Sequence, residues 1–330
     1  MKSLQESLLD DDDILMSDTE GEKIIYEQVI TFLKENYKIS KHIITKVDNK
    51  YVVDVLGDIV VRKEKRNILK SLTNGYFIFG KVDDDFNICD CKKLKSLEGA
   101  PKEVNNFYCG GCYNLQNLKG VPEEVSGDFN CADCFSLKSL EGAPKEVGGG
   151  FDCSYCDGLI SLNGASQRVG KLFDCFKCNG LISLEGAPKE VNNFYCGGCY
   201  NLQNLKGAPK EVGGDFDCSS CEKLVSLEGA PKEVGGDFNC FKCNNLKTLE
   251  GAPKEVGGGF KCFKCNNLIS LKGAPEKILK VFDCRDCINL KTLKGAPKEV
   301  GSSFDCSYCG ASFTEEEVKK YSKVKENIYI

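Results

Sequence analysis

Apolar residues recur at a fixed interval through most of the chain. One unit begins at Phe216 and continues with Cys218, Cys221 and Leu224, and the next unit begins 22 residues later at Phe238. The units are marked by the first cysteine of each Cys-x-x-Cys pair, at Cys109, Cys131, Cys153, Cys175, Cys196, Cys218, Cys240, Cys262, Cys284 and Cys306. Eight of the nine steps are 22 residues long and one is 21. This periodicity predicts a solenoid in which each unit forms one coil.

The spacing within a unit predicts which side chains point inward. Phe216 and Cys218 lie two residues apart, so in a strand they point to the same side, and Asp217 points to the other. The Gly-Ala-Pro triplet that ends many units is incompatible with a helix. Each coil is therefore expected to combine a short strand with an extended or turning far side. Residues after the second cysteine, such as Asn114 and Gly158, are expected in left-handed turns.

One unit buries too little apolar surface to fold alone, so the coils must stack on one another. A degenerate eleventh unit precedes the ten, with Ile88 in the place of the first cysteine. The predicted fold class is mainly β, or α/β, with a solenoid of about 11 coils of 22 residues. At about 4.8 Å per coil, this body is roughly 50 Å long.

Four segments are expected along the chain. They are an acidic, disordered segment over 1–20, an α+β N-terminal cap module over 21–81, the repeat array over 82–310 and a C-terminal capping helix over 311–330. Thr314 and Glu317 form a capping box that predicts a helix from there to about Lys325. Val318 and Tyr321 are expected to cover the last coil.

The N-terminal cap begins with a predicted helix over 21–36. Its apolar residues at helical spacing are Ile24, Ile25, Val29, Phe32 and Leu33. Strands are predicted over 43–47, 51–62 and 76–79, and a short helix over 67–72. The open end of a solenoid needs such a cover, because its first coil has no neighbour on one side.

Two stretches carry a family resemblance. Residues 104–115 read VNNFYCGGCYNL, which resembles the cysteine-containing leucine-rich-repeat consensus L-x-x-L-x-L-x-x-C-x-x-L, and residues 191–202 match as well. Most other units have one extra residue between Val and Phe, which should widen the turn into the strand. The resemblance implies a right-handed leucine-rich-repeat-like stack whose concave strand face binds partners. The phrase SLEGAPKEV also resembles repeat proteins of tailed bacteriophages of gut bacteria, which implies a phage origin.

The 22 cysteines have three competing interpretations. In the favoured one, the first cysteine of a pair is a buried apolar group and the second donates its S–H weakly to a carbonyl of a neighbouring coil. A zinc ion needs four ligands, so two adjacent coils would have to share each site. The sequence shows no alternation between odd and even units, which such pairing would require. Redox-active Cys-x-x-Cys pairs typically begin a helix, whereas these lie on a strand. We expect no metal and no cofactor, with zinc and redox use left open.

Charge and composition exclude several classes of function. The chain has 44 Lys and Arg against 49 Asp and Glu and no basic stripe, which argues against nucleic acid as a partner. No apolar run approaches the roughly 18 residues of a membrane helix. The one histidine, His42, excludes chemistry that needs two. The first residues are acidic where a secretory signal would be basic and then apolar, so a cytoplasmic location is expected, with the virion as the alternative.

The outward positions vary while the rest of the unit hardly changes. Aromatic and cationic residues at these positions predict a partner-binding strip made of Tyr155, Phe176, Lys177, Phe241, Lys242, Lys261, Phe263, Lys264, Arg285 and Tyr308. Exposed aromatic rings and arginine are typical of interaction hot spots. The alternative is that the phenylalanines stack on one another and only stabilise the coils.

The functional prediction is a non-enzymatic protein–protein binding scaffold. Residues 96–120 and 183–207 are identical, which makes parts of the array interchangeable, and this is unusual for an enzyme. No nucleophile–base pair or phosphate loop stands out from the repeat, so no small-molecule substrate is expected. The alternative is a virion-associated structural or cargo protein that docks through its N-terminal segment.

Overall fold

The computed structural model describes residues 20–330 as a parallel β-solenoid of about 13 turns with a 22-residue period and one helix near each end. The predicted fold class is confirmed. There are more turns than the 11 predicted, because strands without a cysteine pair join the stack at both ends. The predicted disordered segment lies, apart from Glu20, outside the described residues.

The N-terminal part supplies the first strands of the stack. It contains α1 (Glu20–Asn36), β1 (Tyr37–Val47), β2 (Lys50–Val61) and β3 (Phe77–Asn87). β1 pairs with β2 in antiparallel orientation, whereas β2 and β3 are parallel. β3 crosses the position between 81 and 82 where cap and array were expected to meet, so the two share one sheet.

The array and the C-terminus contribute short strands that stack in two sheets. They are β4 (Glu103–Tyr108), β5 (Glu124–Val125), β6 (Phe129–Asn130), β7 (Glu146–Val147), β8 (Phe151–Asp152), β9 (Arg168–Asp174), β10 (Glu190–Tyr195), β11 (Glu211–Val212), β12 (Phe216–Asp217), β13 (Glu233–Val234), β14 (Phe238–Asn239), β15 (Glu255–Val256), β16 (Phe260–Lys261), β17 (Lys277–Ile278), β18 (Phe282–Asp283), β19 (Glu299–Val300), β20 (Phe304–Asp305), α2 (Glu315–Tyr321), β21 (Lys323–Val324) and β22 (Ile328–Tyr329). The large sheet follows the order β1-β2-β3-β4-β6-β8-β9-β10-β12-β14-β16-β18-β20-β22, and a second sheet follows β11-β13-β15-β17-β19-β21.

The register places each residue on its counterpart in the next turn. Phe194 pairs with Phe216, and Phe216 with Phe238. β4 and β10, which lack the extra residue between Val and Phe, run unbroken, and most other units split into a Glu-Val strand and a Phe strand. The extra residue thus interrupts the strand in most units, as the sequence predicts, but not in β9, which carries it and runs unbroken.

A column of phenylalanine rings forms the centre of the core. Phe216, Phe238 and Phe260 are fully buried. The ring centroids of Phe216 and Phe238 lie 5.3 Å apart and those of Phe238 and Phe260 lie 5.1 Å apart. The two leucines of each unit, such as Leu224 and Leu227, are buried beside this column. Each unit therefore completes its core only through contact with the turns before and after it.

The N-terminal helix packs through its C-terminal half. Val29 and Leu33 are buried, but Ile24 and Ile25 are exposed, contrary to the prediction. The helix predicted over 67–72 is also wrong, because that segment forms turns closed by bonds such as the one from Leu69 N to the Lys65 carbonyl.

The C-terminal helix has the predicted capping box, in which Thr314 and Glu317 bond each other's backbone N–H. It ends at Tyr321, before the predicted Lys325, because β21 joins the second sheet. Val318 is buried as expected, whereas Tyr321 is exposed.

The left-handed backbone positions differ from the prediction. Asn114 and Gly158 do not adopt positive φ; the residue just before the second cysteine does, as in Tyr155 with φ of 58° and Lys242 with φ of 58°. Asn114 instead donates from Nδ2 to the Lys92 carbonyl of the preceding turn, at 2.7 Å. This position is thus selected for its contact with the neighbouring turn.

Replacement of a ring in the central column should be far more costly than replacement of a surface ring. We expect Phe238→Ala to lower the free energy of unfolding by about 3–5 kcal/mol, because it leaves a cavity between two rings. The matched variant Phe135→Ala removes a ring that is 41% exposed, and should cost about 1 kcal/mol or less. Urea unfolding followed by circular dichroism measures both, and equal losses would contradict a continuous ring core.

Candidate functional site

The cysteine pairs form a hydrogen-bonded column inside the solenoid. The second cysteine of each pair donates its S–H to the backbone carbonyl at the first-cysteine position of the preceding turn; the distances from Sγ to O are 3.3 Å from Cys221 to Cys196 and 3.2 Å from Cys243 to Cys218. All ten pairs repeat this contact. The favoured interpretation of the cysteines is confirmed.

Burial keeps these thiols protonated. It raises the pKa of Cys218 and of Cys240 well above the ordinary value, and raises the pKa of Cys243 to about 12. A protonated thiol can donate a hydrogen bond but is a poor nucleophile. Every cysteine is a free thiol, and residues 20–330 contain no group of three or more metal-ligating side chains.

Cys309 at the end of the column differs from the others. It is half-buried, and the side-chain hydrogen bond with Cys284 lowers the pKa of Cys309, because its thiolate accepts from the Cys284 thiol. Cys89 at the opposite end is also half-buried, but burial raises its pKa to about 11. Reactivity should therefore concentrate at one end of the array.

Native alkylation should reveal this difference. We expect iodoacetamide to modify Cys309 first, Cys89 more slowly and the interior cysteines only on unfolding, because the thiolate is the reactive species. Mass spectrometry of peptides after a pH 7.5 time course measures the order. Uniform labelling across the array at early times would contradict a closed thiol column.

The surface at the carboxyl ends of the large sheet's strands carries all ten residues of the predicted binding strip: Lys261 lies on β16, and the other nine lie in the turns between the cysteines. We call this surface the strand face; it comprises the residue between Phe and Cys in each unit and the two residues between the cysteines. The strip is not continuous, because the Gly197–Gly198 and Ser219–Ser220 turns interrupt it. The aromatic residues fall into two clusters on either side of this interruption.

The first cluster joins three predicted residues. The ring of Tyr155 meets the ring of Phe176 edge-on, with centroids 5.8 Å apart. Lys177 Nζ lies 5.2 Å from the centroid of the Tyr155 ring and 5.3 Å from that of Phe176. The ammonium group is thus held by the two rings through cation–π attraction.

The second cluster is a stack. The rings of Phe241 and Phe263 are parallel to within 5°, with centroids 4.6 Å apart. The guanidinium carbon of Arg285 lies 5.1 Å from the centroid of the Phe263 ring, and Arg285 also pairs with Asp283 at 3.6 Å and Asp305 at 3.7 Å.

The phenylalanines of both clusters are half-buried, whereas the sequence predicts exposed rings. Neighbouring turns cover part of each ring: Phe241 and Phe263 lie on each other, as the alternative interpretation holds, and Phe176 lies against Tyr155. The rings still reach the surface at their edges. Stacking and a role in binding are therefore compatible here.

The remaining residues of the predicted strip do not take part in either aromatic cluster. Lys242 and Lys264 are exposed beside the second cluster. Lys261 bonds Asp237, with Nζ to Oδ2 at 2.6 Å. Tyr308 is 81% exposed at the end of the array and lies apart from both clusters.

A row of carboxylates on the strand face was not identified from the sequence. Asp152, Asp174 and Asp217 each accept a hydrogen bond from the backbone N–H two residues ahead, at 2.8–2.9 Å. Among residues 20–330 no Lys, Arg or His nitrogen lies within 4 Å of these three carboxylates, whereas Asp237 and Asp283 are paired. The sequence signal that could have identified this row is the polar residue between Phe and Cys in most units.

The row also carries perturbed pKa values. Burial raises the pKa of Asp174 to about 6, with the neighbouring Asp152 adding to the effect, and burial likewise raises the pKa of Asp217. The pKa of Asp237 is lowered overall, because hydrogen bonds from Gly259 N and Lys261 outweigh the effect of burial. Asp237 directly precedes Phe238 and lies outside this row. In the row itself, Asp152, Asp174 and Asp217 have no cationic partner among the described residues, whereas Asp283 pairs with Arg285.

A third aromatic cluster lies outside the predicted strip. The rings of Tyr113 and Phe135 lie 4.9 Å apart, and Lys92 Nζ lies 4.9 Å from the centroid of the Tyr113 ring. These rings directly follow the second cysteine, a position that the sequence reasoning did not consider as aromatic. They match the Phe241–Phe263 pair in size and centroid separation, although their planes are tilted by 33°, and so provide a control pair.

Asp174 on the strand face and Asp237, which directly precedes Phe238, should shift stability with pH in opposite directions. A raised folded-state pKa gives stability that is present at low pH and is lost as pH rises through about 6, so Asp174→Asn should stabilise the protein by about 1–2 kcal/mol at pH 7.5 and have little effect at pH 4. Asp237→Asn should destabilise at pH 7.5, because it removes the pair with Lys261. Urea unfolding at both pH values measures the two signs, and the same sign for both would contradict this charge distribution.

Comparison of the chain with protein-family models, with curated proteins and with solved structures finds no match. None of the helices within residues 20–330 is long and apolar enough to span a membrane.

Proposed function

We propose that the chain is a non-enzymatic scaffold that binds a protein partner on its strand face. The observation that carries the proposal is the presence of two preformed aromatic–cation clusters in the turns that directly follow the strands of a regular sheet. Rings that are already ordered by their neighbours lose little conformational entropy on binding, which favours affinity. Aromatic residues and arginine are also enriched among residues that dominate binding energy.

Several finer features belong to the same proposal. The motifs of residues 104–115 and 191–202 support the relation to cysteine-containing leucine-rich repeats and the concave shape of the strand face. The phrase SLEGAPKEV supports a phage origin. A reducing, cytoplasmic location is supported by the thiol column, because its hydrogen bonds need reduced cysteines. We propose no cofactor and no nucleic acid partner.

Capture from a lysate of a gut bacterial host tests the proposal. The immobilised protein should retain a discrete host protein, and the double variant Phe241→Ser with Phe263→Ser should reduce its recovery at least tenfold, because an aromatic hot spot is lost. Quantitative mass spectrometry measures the recovery. Circular dichroism establishes that the variant remains folded.

The control is Tyr113→Ser with Phe135→Ser, which removes a stacked pair from another position of the unit. It should leave recovery unchanged. Recovery that both double variants reduce equally would contradict a strand-face site. Recovery that depends instead on residues 1–19, and comprises virion proteins, would favour the alternative of a virion component docked through its N-terminal segment.

A further inference from the structure

The last cysteine pair differs from the others because no further cysteine follows it in the stack. Both cysteines of an interior pair are fully buried, since the turns before and after enclose them. Residues 310–330 contain no cysteine, and the turn that carries β21 and β22 packs on the array at this end. Cys306 is almost fully buried, whereas Cys309 is only half-buried. One thiol at this end of the column is therefore partly accessible to solvent.

Cys309 contacts a second thiol in the preceding turn. Its Sγ lies 3.2 Å from the carbonyl oxygen of Cys284, to which the protonated thiol donates. The side chains of the two cysteines also hydrogen-bond each other, so their sulfur atoms are neighbours. Cys284 itself is fully buried. The pair thus joins a thiol that solvent reaches to one that solvent does not reach.

The surroundings of this pair favour a thiolate on Cys309. When Cys309 loses its proton, its sulfur becomes an acceptor, and the Cys284 S–H donates to it. This hydrogen bond lowers the pKa of Cys309, although burial and the carboxylates of Asp305 and Asp286 act in the opposite direction. Burial raises the pKa of Cys284 well above the ordinary value. Cys309 is therefore the nucleophile of the pair, and Cys284 keeps its proton until Cys309 has reacted.

The N-terminal end of the array lacks such a pair. Cys89 is half-buried there, but burial raises its pKa to about 11. In the same turn Ile88 occupies the place of the first cysteine, and Cys112 of the next turn donates to the Ile88 carbonyl at 3.4 Å. The counterpart of the contact between Cys284 and Cys309 thus contains only one sulfur. Partial exposure and a neighbouring thiol coincide at the C-terminal end.

We propose that Cys309 and Cys284 form an oxidation site, at which a hydroperoxide converts the two thiols into a disulfide between the last two cysteine-bearing turns. In the first step the Cys309 thiolate attacks one peroxide oxygen and the O–O bond breaks. The leaving oxygen takes up the proton that Cys309 lost and departs as an alcohol, or as water when the oxidant is hydrogen peroxide. Cys309 is then a sulfenic acid.

The second step uses the buried thiol. The Cys284 sulfur attacks the Cys309 sulfur, the S–O bond breaks, and the S–S bond forms. The hydroxide that leaves takes the Cys284 proton and becomes water. The two thiols are oxidised and the hydroperoxide is reduced, so no other reductant or oxidant takes part. An S–S bond is about 2 Å long, so Cys309 must move toward Cys284, and no further cysteine turn packs against it to oppose this movement.

Peptide mapping after treatment of the full chain with hydrogen peroxide tests the proposal. The reduced protein is oxidised under native conditions, and the remaining thiols are then blocked with N-ethylmaleimide in denaturant. Trypsin releases Cys284 within Val281–Arg285 and Cys309 within Glu299–Lys319, so the disulfide joins two peptides, and fragment spectra distinguish Cys309 from Cys306. We expect this link to form about tenfold faster than a disulfide at any interior pair, because the interior thiols are enclosed.

Three variants separate the two steps. Cys284→Ser removes the second sulfur, so the sulfenic acid should accumulate on Cys309 and its labelling by dimedone should rise several-fold above that of the unchanged chain. Cys309→Ser should abolish the link and leave Cys284 reduced, because peroxide does not reach a buried thiol. The matched control is Cys89→Ser, which removes the other half-buried cysteine and should leave formation of the link unchanged.

The peptide map of the unchanged chain decides the outcome even if a serine variant does not fold. Oxidation of Cys309 to a sulfinic acid without a link to Cys284 would overturn the proposal. A disulfide between Cys309 and Cys306, or equally fast oxidation of the interior pairs, would overturn it as well. The inference does not rest on the proposed function, because the reaction with peroxide involves no protein partner. Failure of the capture experiment would therefore leave it standing.

Discussion

The structure depends on one constraint, which is that every residue lies about 4.8 Å from its counterpart in the next turn. In the interior this places phenylalanine on phenylalanine and cysteine on cysteine. Backbone N–H groups of the preceding turn donate to the carbonyls of Asn239 and Phe241, on either side of Cys240. The carbonyl of Cys240 itself accepts a hydrogen bond from the S–H of Cys265. Cysteine thus fills the apolar interior and at the same time satisfies a buried acceptor, which alanine or valine could not do.

The same register has the opposite consequence on the outside. Identical charges in successive turns repel each other, so outward positions are more stable when they vary. In the Glu-Val row, Arg168 interrupts the glutamates and contacts Glu146 at 3.7 Å and Glu190 at 2.9 Å. On the strand face, Asp152 and Asp174 stand in adjacent turns without an interruption, and burial together with the charge of Asp152 raises the pKa of Asp174. The inward positions are therefore fixed by packing, and variation is concentrated at the outward positions.

The sequence predicts features that belong to a single unit. The alternation of Phe216, Asp217 and Cys218 gives the inner and outer faces correctly, and the capping box at Thr314 depends only on residues three positions apart. The extra residue before most strands also has its effect within one unit. Such features follow from local geometry, and local geometry can be derived from one copy of the repeat.

Features that arise between turns could not be derived in this way. The residue after the second cysteine was assigned to a left-handed turn, but Asn245 serves instead to bond the Glu222 carbonyl of the preceding turn, at 2.8 Å. The rings of Phe241 and Phe263 were expected to be exposed, and their exposure depends on which residue the next turn places beside them. The extent of α2 depends on the pairing of β21 with β19.

The same reasoning explains why the candidate site lies where the repeat changes. In a row of identical side chains, each side chain is covered by its counterparts in the turns before and after it. Only the edges of these side chains then remain accessible. The strand face therefore changes its chemistry only where the residue changes from one turn to the next, as where Arg285 follows Phe263 and contacts Asp283 and Asp305. Under the proposed function, specific recognition rests on such departures from the consensus at outward positions.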